Sequence, residues 1–141
     1  MVIKQTIIRG INSALKVILD LIKYIIPAVF VLKVLEHSGW LVRIADLFGP
    51  FMSYIGLPGE GALIIMMGQV TLYSAIAAMA VVDITVKQLT IVSTFVTIFH
   101  SFILESAVIS KAGGNGFMII GIRFVAAILV CFILNILIPG V

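Results

Sequence analysis

Apolar side chains run through this chain in long blocks, interrupted by polar ones in only a few places. Four blocks stand out: Tyr24–Trp40, Gly61–Val82, Val86 to about Ser110, and Phe117 to the end. Each approaches or reaches the roughly 17–25 residues that cross a bilayer as a helix. Ahead of them, residues 1–23 carry a different pattern. On a helical projection Gln5, Arg9, Asn12, Ser13, Lys16, Asp20 and Lys23 fall in an arc about 100° wide, while Ile7, Ile8, Ile11, Leu15, Ile18 and Ile22 cover the other faces. This predicts an amphipathic helix lying along the headgroups, its lysines near anionic lipid, or packed on the protein's own surface. It lacks the compact apolar core and small-residue cleavage site of a secretory signal.

The block Tyr24–Trp40 has Pro27 near its start, where a missing backbone donor is tolerated. Lys33 and Glu36 inside it can snorkel, pair with each other at i, i+3, or face other helices, and Trp40 suits the far interface. Leu41, Ile44, Leu47, Phe48 and Phe51 then recur at helical spacing with Arg43 and Asp46 among them, which predicts a second interfacial helix. Gly56-Leu57-Pro58-Gly59 ends it in a turn. Pro58 is placed to open the next helix, with Glu60 in its first turn.

The block 61–82 contains Gly68, Gln69 and Thr71 at its centre. Two readings stand on the residues alone. One is a continuous helix with a buried Gln bonding a neighbour. The other is a pair of half-helices meeting at 68–71, each about 15 Å long, or half a bilayer core. A chain can turn back at that depth only where its tip is buried in protein or lines a wet cavity.

Val86 to about Ser110 is expected as one helix. Thr90, Ser93, Thr94, Thr97, His100, Ser101 and Glu105 fall within an arc of about 140°, opposite Ile91, Phe95, Ile98, Phe99 and Phe102. So many polar groups on one face, two of them ionisable, point to a functional lining; a polar packing seam between helices is the alternative. After a turn at 110–116, the last block carries Arg123, expected to snorkel to the interface, with Glu105 as its other available partner.

Composition sharpens this picture. Of the 141 residues 62% are hydrophobic and 11% charged, with mean hydropathy +1.32. That is too little charge to coat a water-soluble surface. The net charge of +3 needs no nucleic acid to explain it. The single cysteine, Cys131, forms no internal disulfide, and with two histidines no metal-ligand spacing, phosphate loop or nucleophile elbow occurs. The expectation is a protein without enzymatic activity, metal or cofactor.

The stretch "SGWLVRIADLFGPFMSYIGLPGEGALIIMMGQVTLYSAIAAM" resembles the nucleoside recognition, or Gate, domain family, which includes spore maturation proteins A and B. It is also similar to the repeat unit of concentrative nucleoside transporters. "GLPGEGALIIMMGQ" carries most of the likeness, and "HSFILESAVISKAGG" with "GIRFVAAILVCFILNIL" resembles the C-terminal half. The family's hairpin tip reads Gly-Gln-Thr-Glu-x-Pro; here Glu60, Gly68 and Gln69 match, while Val70, Thr71 and Tyr73 replace the tip Thr, Glu and Pro. The resemblance implies an all-α integral membrane protein with about three transmembrane helices, one re-entrant helical hairpin over about 58–82, and amphipathic interfacial helices. It divides the chain into the N-terminal helix, 1–23, and a membrane-embedded Gate-like unit, 24–141.

The function that this resemblance implies is that of a half-size transporter protomer for a small polar solute such as a nucleoside, in a bacterial inner membrane. Gly68, Gln69, Thr71, Thr97, Ser101 and Glu105 are its expected solute-binding residues. His100 or Glu105 would couple a proton, or the site a sodium ion. Transporters related to this unit use two oppositely oriented repeats, so the expected partner is a second copy, parallel or antiparallel, or a related Gate-domain chain. A membrane assembly or signalling protein without transport is the alternative.

Overall fold

The computed structural model describes residues 2–139, and every regular element in it is a helix. Side chains at positions 2–4, 20, 21, 24, 28, 32 and 36 lie outside the described set, and with Glu36 among them so does its expected pairing with Lys33. Helix α1, Val2–His37, runs through both the amphipathic N-terminal stretch and the first apolar block without a break, Pro27 included. At 1.5 Å per residue it is about 54 Å long, well beyond a bilayer's hydrocarbon core. A left-handed Gly39 ends it, and α2, Trp40–Tyr54, leaves at 89° to the segment before it. Arg43 stacks over the Trp40 ring at 5.5 Å.

The turn after α2 is packed too tightly for side chains. A Cβ on Gly59 would lie 2.1 Å from the Ala45 carbonyl oxygen, and one on Gly56, which has φ +76°, would strike the Asn135 side chain. The next helix, α3, spans Gly61–Val70 and so opens three residues after Pro58, with Glu60 at its N-cap rather than in its first turn. The N–H groups of Gly61, Ala62 and Leu63 find the carbonyls of Pro58, Gly59 and Glu60 in a tight first turn.

At Thr71 the backbone becomes fully extended, and α4, Leu72–Met79, begins at once. The chain reverses here. Residues seven apart on a straight helix are separated by about 10.5 Å along its axis. The Cβ position of Gly68 instead lies 3.4 Å from the Ala75 Cβ. The half-helices of 10 and 8 residues therefore pack side by side as a hairpin.

Helix α5, Val86–Ile98, starts with a reciprocal capping box between Thr85 and Gln88. The expected single helix to Ser110 is not formed. It breaks at Phe99–Ser101 and resumes as α6, Phe102–Lys111. Ser101 sits at φ 46°, ψ 36°, a left-handed conformation unusual for a side chain other than Gly or Asn. Helix α7, Gly116–Leu137, is capped by the Asn115 side chain, which accepts from the Met118 N–H.

α5 and α7 run antiparallel. The Lys87 Nζ at the start of α5 donates to the Asn135 carbonyl near the end of α7, and Arg123 near the start of α7 donates to the Ile98 carbonyl at the end of α5. The core lies where α3, α4, α5 and α7 meet, around Ile64, Ala75, Ala78, Ile91, Val92, Val96, Ala127 and Cys131. Its small residues let backbones approach, which is how membrane helices gain contact where lipid already satisfies apolar surface. Among the described residues the broken span 86–111 and α7 are the two segments long and apolar enough to cross a membrane, and the bent α1–α2 pair is a third candidate. The outer face of α7 exposes Leu129, Phe132, Ile133 and Ile136, as a lipid-facing helix does.

Candidate functional site

Two interrupted helices leave backbone groups without their helical partners, and in this fold they supply one another. The Gly68 carbonyl near the end of α3 accepts from the Ser101 N–H at 3.2 Å. Gln69, the next residue, donates from its Nε2 to the Phe99 carbonyl at 3.2 Å and to the Ile65 carbonyl at 3.1 Å. Both amide hydrogens are thus committed within the chain. Its Oε1 is buried and accepts from nothing among the described residues. Gly68 is closely packed at the crossing, where a Cβ would press to 3.0 Å from the Val96 Cγ1.

The other side of the break is charged. Glu105, in the first turn of α6, forms an ion pair through Oε2 with Arg123 Nη1, and its Oε1 faces His100 Nε2 at 3.5 Å. The Arg123 Nε donates to the Ile98 carbonyl at 2.8 Å. Arg123 therefore does not snorkel outward. It caps the carbonyl end of α5 and neutralises Glu105, a better arrangement in an apolar surround than two separated charges. Phe99 and Phe102 stack at 5.7 Å, and Phe99 meets Phe124 edge-on at 5.3 Å, closing the break from the other side.

Of the residues picked out from the sequence, Gly68, Gln69, His100, Ser101 and Glu105 are gathered at this crossing. Thr71 is engaged otherwise. Its hydroxyl accepts from the Ser74 N–H at 3.0 Å and bonds the Ser74 hydroxyl at 2.8 Å, so it caps α4. The Thr97 hydroxyl donates to the Ser93 carbonyl, as those of Thr90 and Thr94 do to Val86 and Thr90. Those three hydroxyls satisfy themselves on their own helix. The Ile98 and Phe99 carbonyls were invisible to side-chain pattern, since only the break turns them outward; a neighbouring Gln and Arg were the available signal.

A cavity of about 510 Å³ lies between α2, α3, α5 and α7, lined by apolar groups including Met52, Ile65, Phe95, Phe124 and Ile128. Beside Glu105, Ser106 and Arg123 a pocket of about 10 Å³ has the size for one water. Among the described residues no three His, Cys, Asp or Glu side chains are grouped to hold a metal.

The hairpin of two half-length helices agrees with the re-entrant hairpin that the resemblance implied. The chain belongs to the nucleoside recognition (Gate) family, which matches residues 18–126. Among curated proteins it is similar to YvoD, an uncharacterized membrane protein of Bacillus subtilis (strain 168), with 29% identity over 97% of this chain and 44% of that protein. It thus spans less than half the length of that relative. No solved structure matches it. It is an integral membrane protein, all-α, with lipid as its environment.

Proposed function

We infer that this chain is one half of a transporter for a small polar solute, a nucleoside being the first to test, and that a second copy or a related Gate-domain chain supplies the other half. The observation that carries this reading is the clasp between the hairpin tip and the α5–α6 break, from Gly68 to Ser101 and from Gln69 to Phe99. Irregular backbone at membrane depth persists where it lines a cavity between protein units, and broken helices at repeat interfaces are where secondary transporters hold solutes and coupling ions. Gln69 Oε1 is the buried polar atom of the clasp left without a partner among the described residues, and Ser101 beside it is partly exposed. The length of YvoD outside the match leaves space for a second unit of this size, in line with a working pair of repeats.

In this reading the unit moves its solute without altering it, driven by sodium ions or protons. Uptake of labelled nucleosides, bases and amino acids into proteoliposomes tests it, with Gln69→Ala as the control that should lose flux while keeping its oligomer. Absence of uptake and binding across that panel sinks it. Labelling of single cysteines near each chain end from both membrane faces would identify an antiparallel pair; one-sided labelling would identify a parallel oligomer or a separate partner.

A second reading, an assembly protein of the spore maturation type, draws on the hydroxyls of Thr90, Thr94 and Thr97, which bond their own helix rather than face a solute path. There Gln69→Ala should break the oligomer.

A further inference from the structure

We propose that the α5–α6 break is a proton-binding site in which His100, facing Glu105, sets how firmly the two half-helices are held together. This site needs only the break itself, whatever solute the unit moves.

His100 Nδ1 lies 3.1 Å from the Val96 carbonyl oxygen. The Val96 carbonyl and the Glu105 carboxylate both only accept, and the carbonyl is the nearer, so the geometry assigns the neutral ring's hydrogen to Nδ1 and makes Nε2 the nitrogen that gains or loses one. Nε2 faces Glu105 Oε1 at 3.5 Å. In the neutral ring this contact sets a lone pair against a carboxylate oxygen, two acceptors with no hydrogen between them. A proton taken from water onto Nε2 turns the same contact into a charge-assisted hydrogen bond.

Glu105 is in place without His100. Its second oxygen is paired with Arg123, which is itself fixed to the Ile98 carbonyl. Protonation therefore adds a link between the end of α5 and the first turn of α6 and leaves the α6–α7 link standing. Among the described residues the charged groups placed against His100 are Glu105 from α6 and, through it, Arg123 from α7; the α3 side chain beside the break is Gln69, which is neutral.

Helix α6 is the half that such a link would move. None of its residues is buried, whereas α5 has four in the core. The joint between them is the left-handed Ser101, a conformation maintained only by its surroundings. At low pH α6 is tied to both α5 and α7. Without that proton α6 keeps its ion pair to Arg123 and the Phe99–Phe102 stack but lacks the His100 link, and swings more widely about Ser101.

The chain has only two histidines, so His37→Ala leaves His100 as the sole imidazole for 15N NMR in nanodiscs. As the sample is acidified, Nδ1 should stay protonated while Nε2 gains its proton. Spin labels at Thr90→Cys and Val108→Cys, on α5 and α6 in a Cys131→Ala background, should show a narrower distance distribution at the lower pH. His100→Gln should abolish that dependence. Loss of the proton from Nδ1 instead, a ring that keeps one charge state throughout, or label distances equal at both pH values would overturn the proposal. So would a His100→Gln protein that still responds to pH. The parent chain decides the first three points even where the variant fails to fold, and no solute enters the measurement, so the outcome is separate from the transport reading.

Discussion

Ser101 donates its backbone N–H to the carbonyl of Gly68, joining the one strained joint of the α5–α6 span to the tip of the α3–α4 hairpin. Each interruption leaves the other's missing partner in reach. Neither helix could be broken alone in an apolar medium without an unpaired backbone group costing several kcal/mol.

The crossing has no spare volume at Gly68. Gly68→Ala should lower the melting temperature in detergent, by overpacking worth about 1–3 kcal/mol, because the new Cβ meets Val96 Cγ1 at 3.0 Å. Val96→Ala introduced with it should restore part of the loss. Additive losses in the double variant would mean the two side chains do not compete for this space.

Gln69 holds the Phe99 carbonyl from 30 residues away. Gln69→Leu leaves that carbonyl unpaired, a cost of about 1–3 kcal/mol, and should speed amide hydrogen exchange around residues 99–101. Unchanged exchange there would show that the clasp does not depend on this side chain.

Arg123→Ala strands Glu105 and frees the Ile98 carbonyl. Breaking one partner of a buried pair costs about 3–5 kcal/mol, and with 28% and 31% of the two side chains exposed the loss here belongs at the low end. Combining it with Glu105→Gln should recover stability relative to the single variant. Thermal melts of the four proteins form the cycle that measures the coupling.

Thr71 distinguishes a cap from a ligand. Thr71→Ser keeps the hydroxyl that accepts from Ser74 and should be near neutral, while Thr71→Val should cost about 1 kcal/mol. A large change in solute binding with Thr71→Ser, at unchanged stability, would give Thr71 a direct role instead.

Cys131 is wholly buried against the Ile91 carbonyl. Maleimide should leave it unmodified in the folded protein and label it in SDS. Fast labelling in mild detergent would show α7 separating from α5.

The sequence alone was enough for the membrane environment and the helical class, because those rest on the amount and spacing of apolar residues; for residues 61–82 it left a continuous helix and a reversal at 68–71 both open, and the family resemblance favoured the reversal. It also marked His100, Ser101 and Glu105, since polar groups in an apolar block stand out one by one. The break at Phe99–Ser101 was not legible there. Thr90, Thr94 and Thr97 continue a regular helical face up to it, and a period measured along the chain cannot register a carbonyl taken by Gln69 or Arg123 from another element. Which polar residues meet, and which turn back on their own helix, was decided only when α3, α5 and α7 packed. The interrupted conformation is tolerable because hydrogen bonds from distant segments replace those the helix gave up.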